Sequence, residues 1–503
     1  MKDIYIAAID LGTSFIKIYI YSCNGDCVSN AERAVTIDNP KPDVFIQTGE
    51  YLFSAVLECF EKALKGCMHP ERLKAIVFTG QMAGFMGVDK QLNDITGWSC
   101  SLDTRYYSYA VDMLKKCNKE LLEIAGTNSP LMAPKIKWFE NEYPKEAKKI
   151  NKYLMISSYI AAKFSKSSMD EITIDSSYIT WTGLADINKC QWSEKLCRAF
   201  DIDMCKLPKI VKANAILGYL DEEYCERFGL AKDIALVSGA GDKVSGIVGT
   251  SFVEKGNLIF EASSYGAISY IADSFIPNRK TKNYDILPNA MDNNFILHKY
   301  IPGSGIVLKW FVDNYCNSNS FKDMDLAASK VKPGSNGLLG IGLLNGSSMP
   351  FDEDIKGMFI GHSLAHRPEH FYRALLESYA YEIALTIDSI KELYHIEKFD
   401  SIKMIGGGAS SLIWGQIIAS VTNIRVDILS RSDVALWGAV LFAGEAIGAF
   451  EDVQAISKKN ISTKKCFYPM KEDVKKYQKY KELYNKMIRE TKIYYKEIKD
   501  IEA

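Results

Sequence analysis

Asp10, Asp103, Asp175 and Asp242 are the carboxylates of this chain whose neighbours could put them to work. Asp10 closes an apolar run from Ile4 to Ile9 and precedes Gly12-Thr13-Ser14. A carboxylate at such a strand end can hold a divalent cation through water. Gly12 can take the positive φ that a tight turn needs. The hydroxyls and amides of Thr13 and Ser14 can form a concave nest of donors for phosphate, and Lys17 stands near enough to neutralise part of its charge. The same residues suit an ordinary hairpin closed by an Asx-turn. Asp242 follows Gly239-Ala240-Gly241 at a strand-to-helix junction, where glycines let a ligand approach the backbone. A helix N-cap is the commoner fate of such an aspartate. Asp103 and Arg105 share a loop with the aromatics Trp98 and Tyr106. One accepts and the other donates hydrogen bonds, which fits hydroxyl recognition as well as it fits a plain ion pair. Asp175 lies with Ser176 and Ser177 in a polar turn.

Two strands joined by a tight turn must carry the Asp10 group, the first ending near Asp10 and the second running from Phe15 to Tyr21. A second copy of this pattern begins at Asn257, where a strand, a turn with Ser263, Ser264 and Gly266, and another strand follow, with Glu261 ahead of the turn. Each hairpin is later followed by a strand entering a glycine turn: K74-AIVFTGQMAG-84 in the first half, S401-IKMIGGGASSLIW-414 in the second. The same order of elements in both halves predicts a duplicated α/β domain facing itself across a cleft. The division falls at 1–248 and 249–503, with Gly249 to Gly256 as the bridge.

Periodicity places a helix over Gly49 to Leu64, a strand over Ile76 to Phe78, and helical text from Asn118 to Phe200 that gives way to a small β-like stretch, Tyr178 to Ala185. Ile301 to Trp310 opens a further helix, Gly337 to Gly346 reads as glycine-rich strand, and Pro368 to Tyr394 as one long amphipathic helix. Asp433 to Phe450 is a small-residue helix suited to packing closely on a sheet. His362, His366 and His370 are spaced by four, but Pro368 interrupts that run, so a shared metal-binding face is not expected. In the basic tail, Tyr477, Tyr480, Tyr484 and Ile488 form one helical stripe that suits docking on the body better than nucleic-acid binding.

With 61 basic and 62 acidic residues in 503, no strong field favours nucleic acid or an anionic membrane. The longest apolar run, Trp437 to Phe450, is too short to span a bilayer and contains Glu445. Lys2 and Asp3 run straight into a strand without a signal-peptide pattern, and the cysteines, including Cys23 and Cys27, read as reduced thiols. The setting these features imply is the cytoplasm. No dinucleotide fingerprint is present in the 337–346 run.

Taken in order, these segments resemble the FGGY carbohydrate kinases of the sugar-kinase/Hsp70/actin superfamily, over essentially the whole chain. D10-LGTS-14 is similar to the first phosphate motif and S263-SYG-266 to the second; G239-AGD-242 resembles the segment carrying the catalytic aspartate; M404-IGGGASSLIWGQ-416 and D433-VALWGA-439 resemble the adenosine motif and the helix after it. The stretch from Phe351 to Ser378 is similar to the one that runs into the long second-domain helix. The resemblance implies two ribonuclease H-like (actin-like ATPase) domains, ATP and Mg²⁺ as cofactors, and Asp242 as general base in an in-line phosphoryl transfer. It implies that Asp10 organises Mg²⁺ through water, that Gly12, Thr13, Ser14, Lys17, Ser263, Ser264 and Gly266 grip phosphates, and that Gly407, Gly408 and Ser410 line the nucleotide side. On the sugar side it implies Gln81, Met82, Asp103, Arg105 and Asp175. Its xylulokinase-like members carry histidine in G-Q-M-H-G where this chain has Ala83, and a small residue where it has Tyr265. The acceptor is then a ketopentose such as xylulose, a related ketose or a polyol; ribulose, a deoxy-ketose and a sugar acid are the alternatives. A homodimer stays open. A nucleotide-switched binding protein would share the hairpins but has no need of Asp242 with Gln81, Asp103 and Arg105.

Overall fold

The structure, a computed structural model, describes residues 4–250, 256–290, 294–316, 320–344, 346–352 and 354–502. Most of the bridge expected between the halves, 251–255, lies outside the described residues. Two compact units form, each from separated stretches: Met1–Val253 with Ile286–Phe295 and Asp433–Ile461, and Glu254–Asp285 with Ile296–Ser432 and Ser462–Ala503.

The first unit is built on the opening hairpin. Strands Tyr5–Leu11 and Phe15–Ser22 pair antiparallel from Tyr5↔Ser22 to Leu11↔Ile16. Along the second strand Ile16, Ile18 and Ile20 are buried, while Lys17 and Tyr19 are partly exposed, the period-two pattern of a half-covered sheet. Cys27–Ala34 extends the meander, and Leu73–Gly80 joins the other side of Tyr5–Leu11 in parallel. Ala235–Val237 is parallel to Leu73–Gly80, and Ile216–Tyr219 closes that edge antiparallel. The helix Gly49–Lys65 buries Leu52, Val56, Cys59, Phe60 and Ala63 and starts at Thr48, whose hydroxyl accepts from the Tyr51 amide at 3.3 Å.

In the second unit six neighbouring strands of a seven-stranded sheet run in the order Phe295–Ile301, Gly266–Ala272, Asn257–Glu261, Ser401–Ile405, Val426–Leu429, Thr463–Phe467. Asn257–Glu261 is antiparallel to Gly266–Ala272 and parallel to Ser401–Ile405; Val426–Leu429 continues in parallel, and Thr463–Phe467 closes the edge antiparallel. The two sheets therefore repeat one plan: a hairpin and a third strand on one side, two parallel strands on the other, and an antiparallel edge. The long helix Pro368–Tyr394 matches its expected span, with Pro368 at its first turn and His395 at φ 53 ending it. Tyr477 and Tyr484 of the helix Lys471–Glu502 are buried against it; Tyr477 donates to Glu377 at 2.8 Å and Tyr484 to Glu382 at 3.0 Å.

Several sequence expectations fail locally. The stretch Tyr178 to Ala185 is not β-like but mainly two short turns of 3₁₀ helix, Ser176–Tyr178 and Thr180–Thr182, stopped by Gly183 at φ +69. The region 118–200 is not continuously helical; strands Lys152–Leu154, Thr173–Asp175 and Gln191–Trp192 interrupt it. Ile301 ends a strand, and the helix begins only at Ser304, after Gly303 at φ +80. Because Pro368 opens its helix, His362 and His366 lie ahead of it and the histidines share no helical face.

Candidate active site

Strands Tyr5–Leu11, Leu73–Gly80 and Ala235–Val237 are parallel neighbours, so the loops that follow them emerge at one edge of the first unit's sheet. The carboxyl ends of parallel strands are where open α/β sheets receive ligands. Two glycines make the convergence possible. Gly80 has φ +138, and a Cβ there would lie 2.6 Å from the Leu11 carbonyl oxygen; Gly239 has φ +66, and its Cβ would lie 1.8 Å from that of Phe78. The Gln81 amide donates to the Leu11 carbonyl at 3.1 Å, tying the second loop to the first.

Asp10 is half-buried near the end of its strand, opposite Lys17 on one side and Thr79 on the other. The tip formed by Gly12, Thr13 and Ser14 is open to solvent on its outer face. Gly12 does not adopt the positive φ expected of it. Glycine is required there because a Cβ would stand 2.6 Å from the Phe15 carbonyl oxygen across the tight turn. Val35 N–H donates to the Ser14 carbonyl at 2.9 Å and pins the turn to the third strand.

Asp242 is the first residue of the helix Asp242–Gly249, with Gly241 at the capping position. Its side chain is 36% exposed. Oδ1 accepts from the Lys243 amide at 2.8 Å, and the Lys243 ammonium stands 3.9 Å from Oδ2. The helix N-terminus and this cation both favour the ionised carboxylate. Met82 packs against Gly241, where a Cβ would be 2.3 Å from the methionine Cγ, and Trp98 against Gly84. Trp98 Nε1 donates to Gln81 Oε1 at 3.1 Å. Gln81, Met82 and Asp242 are thus brought together. The phenol of Tyr178, buried and pushed up by that burial, feels the charges of Asp175, Asp242 and Asp10 as well.

Asp103 is 1% exposed. Its Oδ2 accepts from Ser99 Oγ at 2.8 Å and Arg105 Nη2 at 2.5 Å, and its Oδ1 from Arg105 Nε at 2.9 Å. Burial pushes this carboxyl upward, but Arg105, Lys135 and Ser99 outweigh it and hold it below the usual range. Arg105 in turn lies over the Trp138 ring at 4.1 Å. Lys135, which sequence reasoning missed, is enclosed beneath this loop and donates to Ser99 O at 3.0 Å, Ser99 Oγ at 3.0 Å and Cys100 O at 2.5 Å. Burial pulls its ammonium down to about 8, against the attraction of Asp103. A signal existed: Lys135 falls between Met132 and Phe139 at the i+3 and i−4 spacing of an apolar face.

Asp175 is 3% exposed at the end of the strand Thr173–Asp175. Oδ1 accepts from the Ser177 amide at 2.8 Å, while Oδ2 has no hydrogen-bond partner. Burial pushes the carboxyl up to about 7, with the Ser177 and Ser176 hydrogen bonds opposing. Ser177, a second residue missed from the sequence, is fully buried, and its Oγ accepts from the Gly241 amide at 2.9 Å.

In the second unit the turn at Ser263 and Ser264 is held by the start of the helix Ser304–Tyr315. The Gly305 amide lies 3.1 Å from both the Ser263 and Ser264 carbonyls, and the Ile306 amide 3.1 Å from that of Ser264. A Cβ on Gly266 would meet Ser304 Oγ at 2.7 Å. The bulk of Tyr265 is laid flat on Tyr300, with ring centres 5.8 Å apart. Gly406, at φ +85, and Gly408 press on Ala262, whose carbonyl accepts from the Gly408 amide at 2.8 Å. The 406–410 turn and the serine turn are thereby neighbours. Gly407 faces open space, where a flat group could lie on bare backbone, and Ser410 is exposed. Among the described residues no group of three or more His, Cys, Asp or Glu side chains could hold a metal ion, and no helix is long and apolar enough to cross a membrane.

A carboxylate at a helix start, a second at a neighbouring strand end and donor-rich turns suit phosphoryl transfer, which depends on positioning and charge neutralisation. Comparison with known proteins agrees. The model of the N-terminal domain of the FGGY family of carbohydrate kinases matches residues 5–249, and that of its C-terminal domain residues 277–447. A gluconokinase of Bacillus subtilis is 27% identical over 489 residues, covering 94% of this chain and 93% of the relative. A xylulose kinase of Lactococcus lactis is 25% identical over 509 residues, 97% of each. The crystal structure of a gluconate kinase from Lactobacillus acidophilus superposes with a TM-score of 0.90 at 20% identity, covering 99% of this chain and all of the other. The chain belongs to the FGGY family of carbohydrate kinases and is an ATP-dependent sugar kinase.

Proposed function

We propose that this kinase phosphorylates a hydroxyl of a small ketopentose, a related ketose or a polyol, with Asp242 as general base. The observation that carries the proposal is the placement of Asp242: a half-exposed carboxylate at a helix start, beside Met82, with Gln81 next along its loop. Asp242 accepts the acceptor hydroxyl's proton as that oxygen attacks the γ-phosphate in line. Gln81, Met82 and the Arg105–Asp103 pair fix the acceptor. The fork of Arg105 is oriented by Asp103 and Trp138, so little freedom is lost when it binds a hydroxyl.

In the second unit the Ser263–Ser264–Gly266 turn and the Gly407–Gly408–Ser410 turn hold the nucleotide. In the first, Thr13, Ser14 and Lys17 meet phosphate oxygens. Asp10 fits Mg²⁺: it is a hard, half-exposed oxygen donor without a ready cage, as expected when the ion keeps waters and is bound mainly by substrate phosphates. Bound there, the ion would offset phosphate charge. The cytoplasm suits such an enzyme.

A sugar acid is the second reading, and Lys243 favours it. Its ammonium stands 3.9 Å from Asp242 Oδ2 and is only 14% exposed, so a cation lies close to the proposed base. The relatives are named for both gluconate and xylulose at nearly equal identity. Coupled ADP release across ketopentoses, other ketoses, polyols and aldonic acids tests the proposal. ATP- and Mg²⁺-dependent turnover with a ketose or polyol above all others supports it. Preference for an aldonic acid moves the assignment to the second reading, and aldoses alone being turned over contradicts both.

A further inference from the structure

Asp175 does not belong among groups that touch a sugar: its side chain is enclosed, and the one contact it makes from Oδ1 is to the Ser177 amide. Ser177 is enclosed too, its amide held by Asp175 Oδ1 and its hydroxyl accepting from the Gly241 amide at 2.9 Å. Gly241 is the residue immediately before Asp242 and caps the Asp242–Gly249 helix without a side chain of its own. By holding the Ser177 amide, Asp175 fixes the turn from which the hydroxyl reaches the Gly241 amide. Other ties to this loop are the Ser238 amide to the Ala215 carbonyl at 3.0 Å and the Gly239 amide to that of Ala213 at 2.8 Å, both before the loop's apex, and the Ser245 hydroxyl to the Ala240 carbonyl at 2.9 Å. The Ser177 hydroxyl is the group that takes the amide next to Asp242.

We infer that Asp175 is a positioning residue of this kinase, fixing the Ser177 turn so that the Ser177 hydroxyl holds the Gly241 amide and keeps Asp242 in line with the acceptor hydroxyl. The inference rests on Asp242 being the base. The unpartnered Oδ2 shows that burial of Asp175 is not explained by hydrogen bonding alone. A buried polar atom left without a partner is costly, and an apolar residue would fill the same space without that cost.

The test measures kcat, acceptor KM and ADP affinity in Ser177→Ala, Asp175→Ala, Asp175→Asn and the double alanine variant. A base displaced by about an ångström can cost on the order of 10²-fold, so Ser177→Ala and Asp175→Ala should each lower kcat roughly tenfold or more. Acceptor KM and ADP affinity should stay within about twofold. Groups acting in one chain are not additive, so the double variant should be no slower than Ser177→Ala. Asp175→Asn should recover most of the rate, since its amide oxygen can still accept from Ser177. Multiplying losses, an Asp175→Asn loss equal to that of alanine, or a loss confined to KM would each overturn the inference. Should Asp175→Ala fail to fold, an unchanged kcat in Ser177→Ala alone overturns it. Asp242→Asn separates the two levels: if it is inactive while Ser177→Ala is normal, the base stands and only the relay falls.

Discussion

At the scale of single residues, burial separates the charged groups open to a ligand from those that only hold their neighbours. Asp10, Asp242 and Arg105 keep a face to solvent, whereas Asp103, Lys135 and Asp175 do not. Asp175 illustrates the energetics. Its carboxyl is raised to about 7 from the ordinary range near 4, so between those values the folded state holds a proton that the unfolded state has released. Its contribution to stability therefore falls as pH rises from about 4 to about 7, by on the order of a few kcal/mol. A residue kept at such a cost fits a role in positioning. Ala83, partly exposed in the G-Q-M-A-G turn, is where specificity should respond. A site without a donor cannot penalise an acceptor for lacking the matching hydroxyl, whereas one with a donor can reject it by ~10⁴-fold at best. Ala83→His should raise kcat/KM for D-xylulose relative to the best natural acceptor. A wild type that already prefers D-xylulose across the panel would show the alanine to be neutral. From sequence, Asp10 and Asp242 were legible because glycines mark the turns beside them. Ser177 was not: a serine two places after an aspartate reads as any polar turn, and its partner Gly241 is distant in the chain.

At the scale of elements, the helix Val434–Ala446 supports the helix that carries Asp242. A Cβ on Gly438 would lie 1.8 Å from the Ser245 carbonyl oxygen, and one on Gly249 would lie 1.9 Å from that of Val434. The two backbones meet without side chains between them, both within the first unit. Tyr21 fastens the helix start by donating to Asp433 at 2.5 Å. The small residues of 433–450 predicted close packing on a sheet, and it occurs; no local pattern could say that the sheet is the one begun at Tyr5, because that choice is made by contacts between distant stretches. Gly438→Ala should be more disruptive than an ordinary glycine substitution, since backbone cannot move aside as a side chain can. Overpacking of this kind costs about 1–3 kcal/mol or more. The urea midpoint should fall accordingly, with kcat falling too as the Asp242 helix shifts. An unchanged midpoint would mean the two helices are free to separate.

Over the whole molecule, one sheet plan used twice explains why the sequence was readable at the level of architecture. Each copy carries its own hairpin with small hydroxyl residues at the tip, and each places a glycine turn after the parallel strand beside it. Repetition of turn chemistry is visible in a single sequence, whereas the 118–200 region has no counterpart pattern, and there the short strands at 152–154, 173–175 and 191–192 and the 3₁₀ turns at 176–182 escape the helical reading. The division of labour proposed above, acceptor and base in the first unit and nucleotide turns in the second, gives a direct consequence: removing the base should stop transfer and leave nucleotide binding alone. The decisive measurement is turnover of Asp242→Asn at saturating acceptor and ATP, alongside its ADP affinity. The amide nearly preserves shape but cannot take the hydroxyl proton, and general-base catalysis is typically worth ~10²–10⁴-fold. The account predicts turnover below about a hundredth of wild type with ADP affinity unchanged; more than about a tenth of wild-type turnover would contradict it.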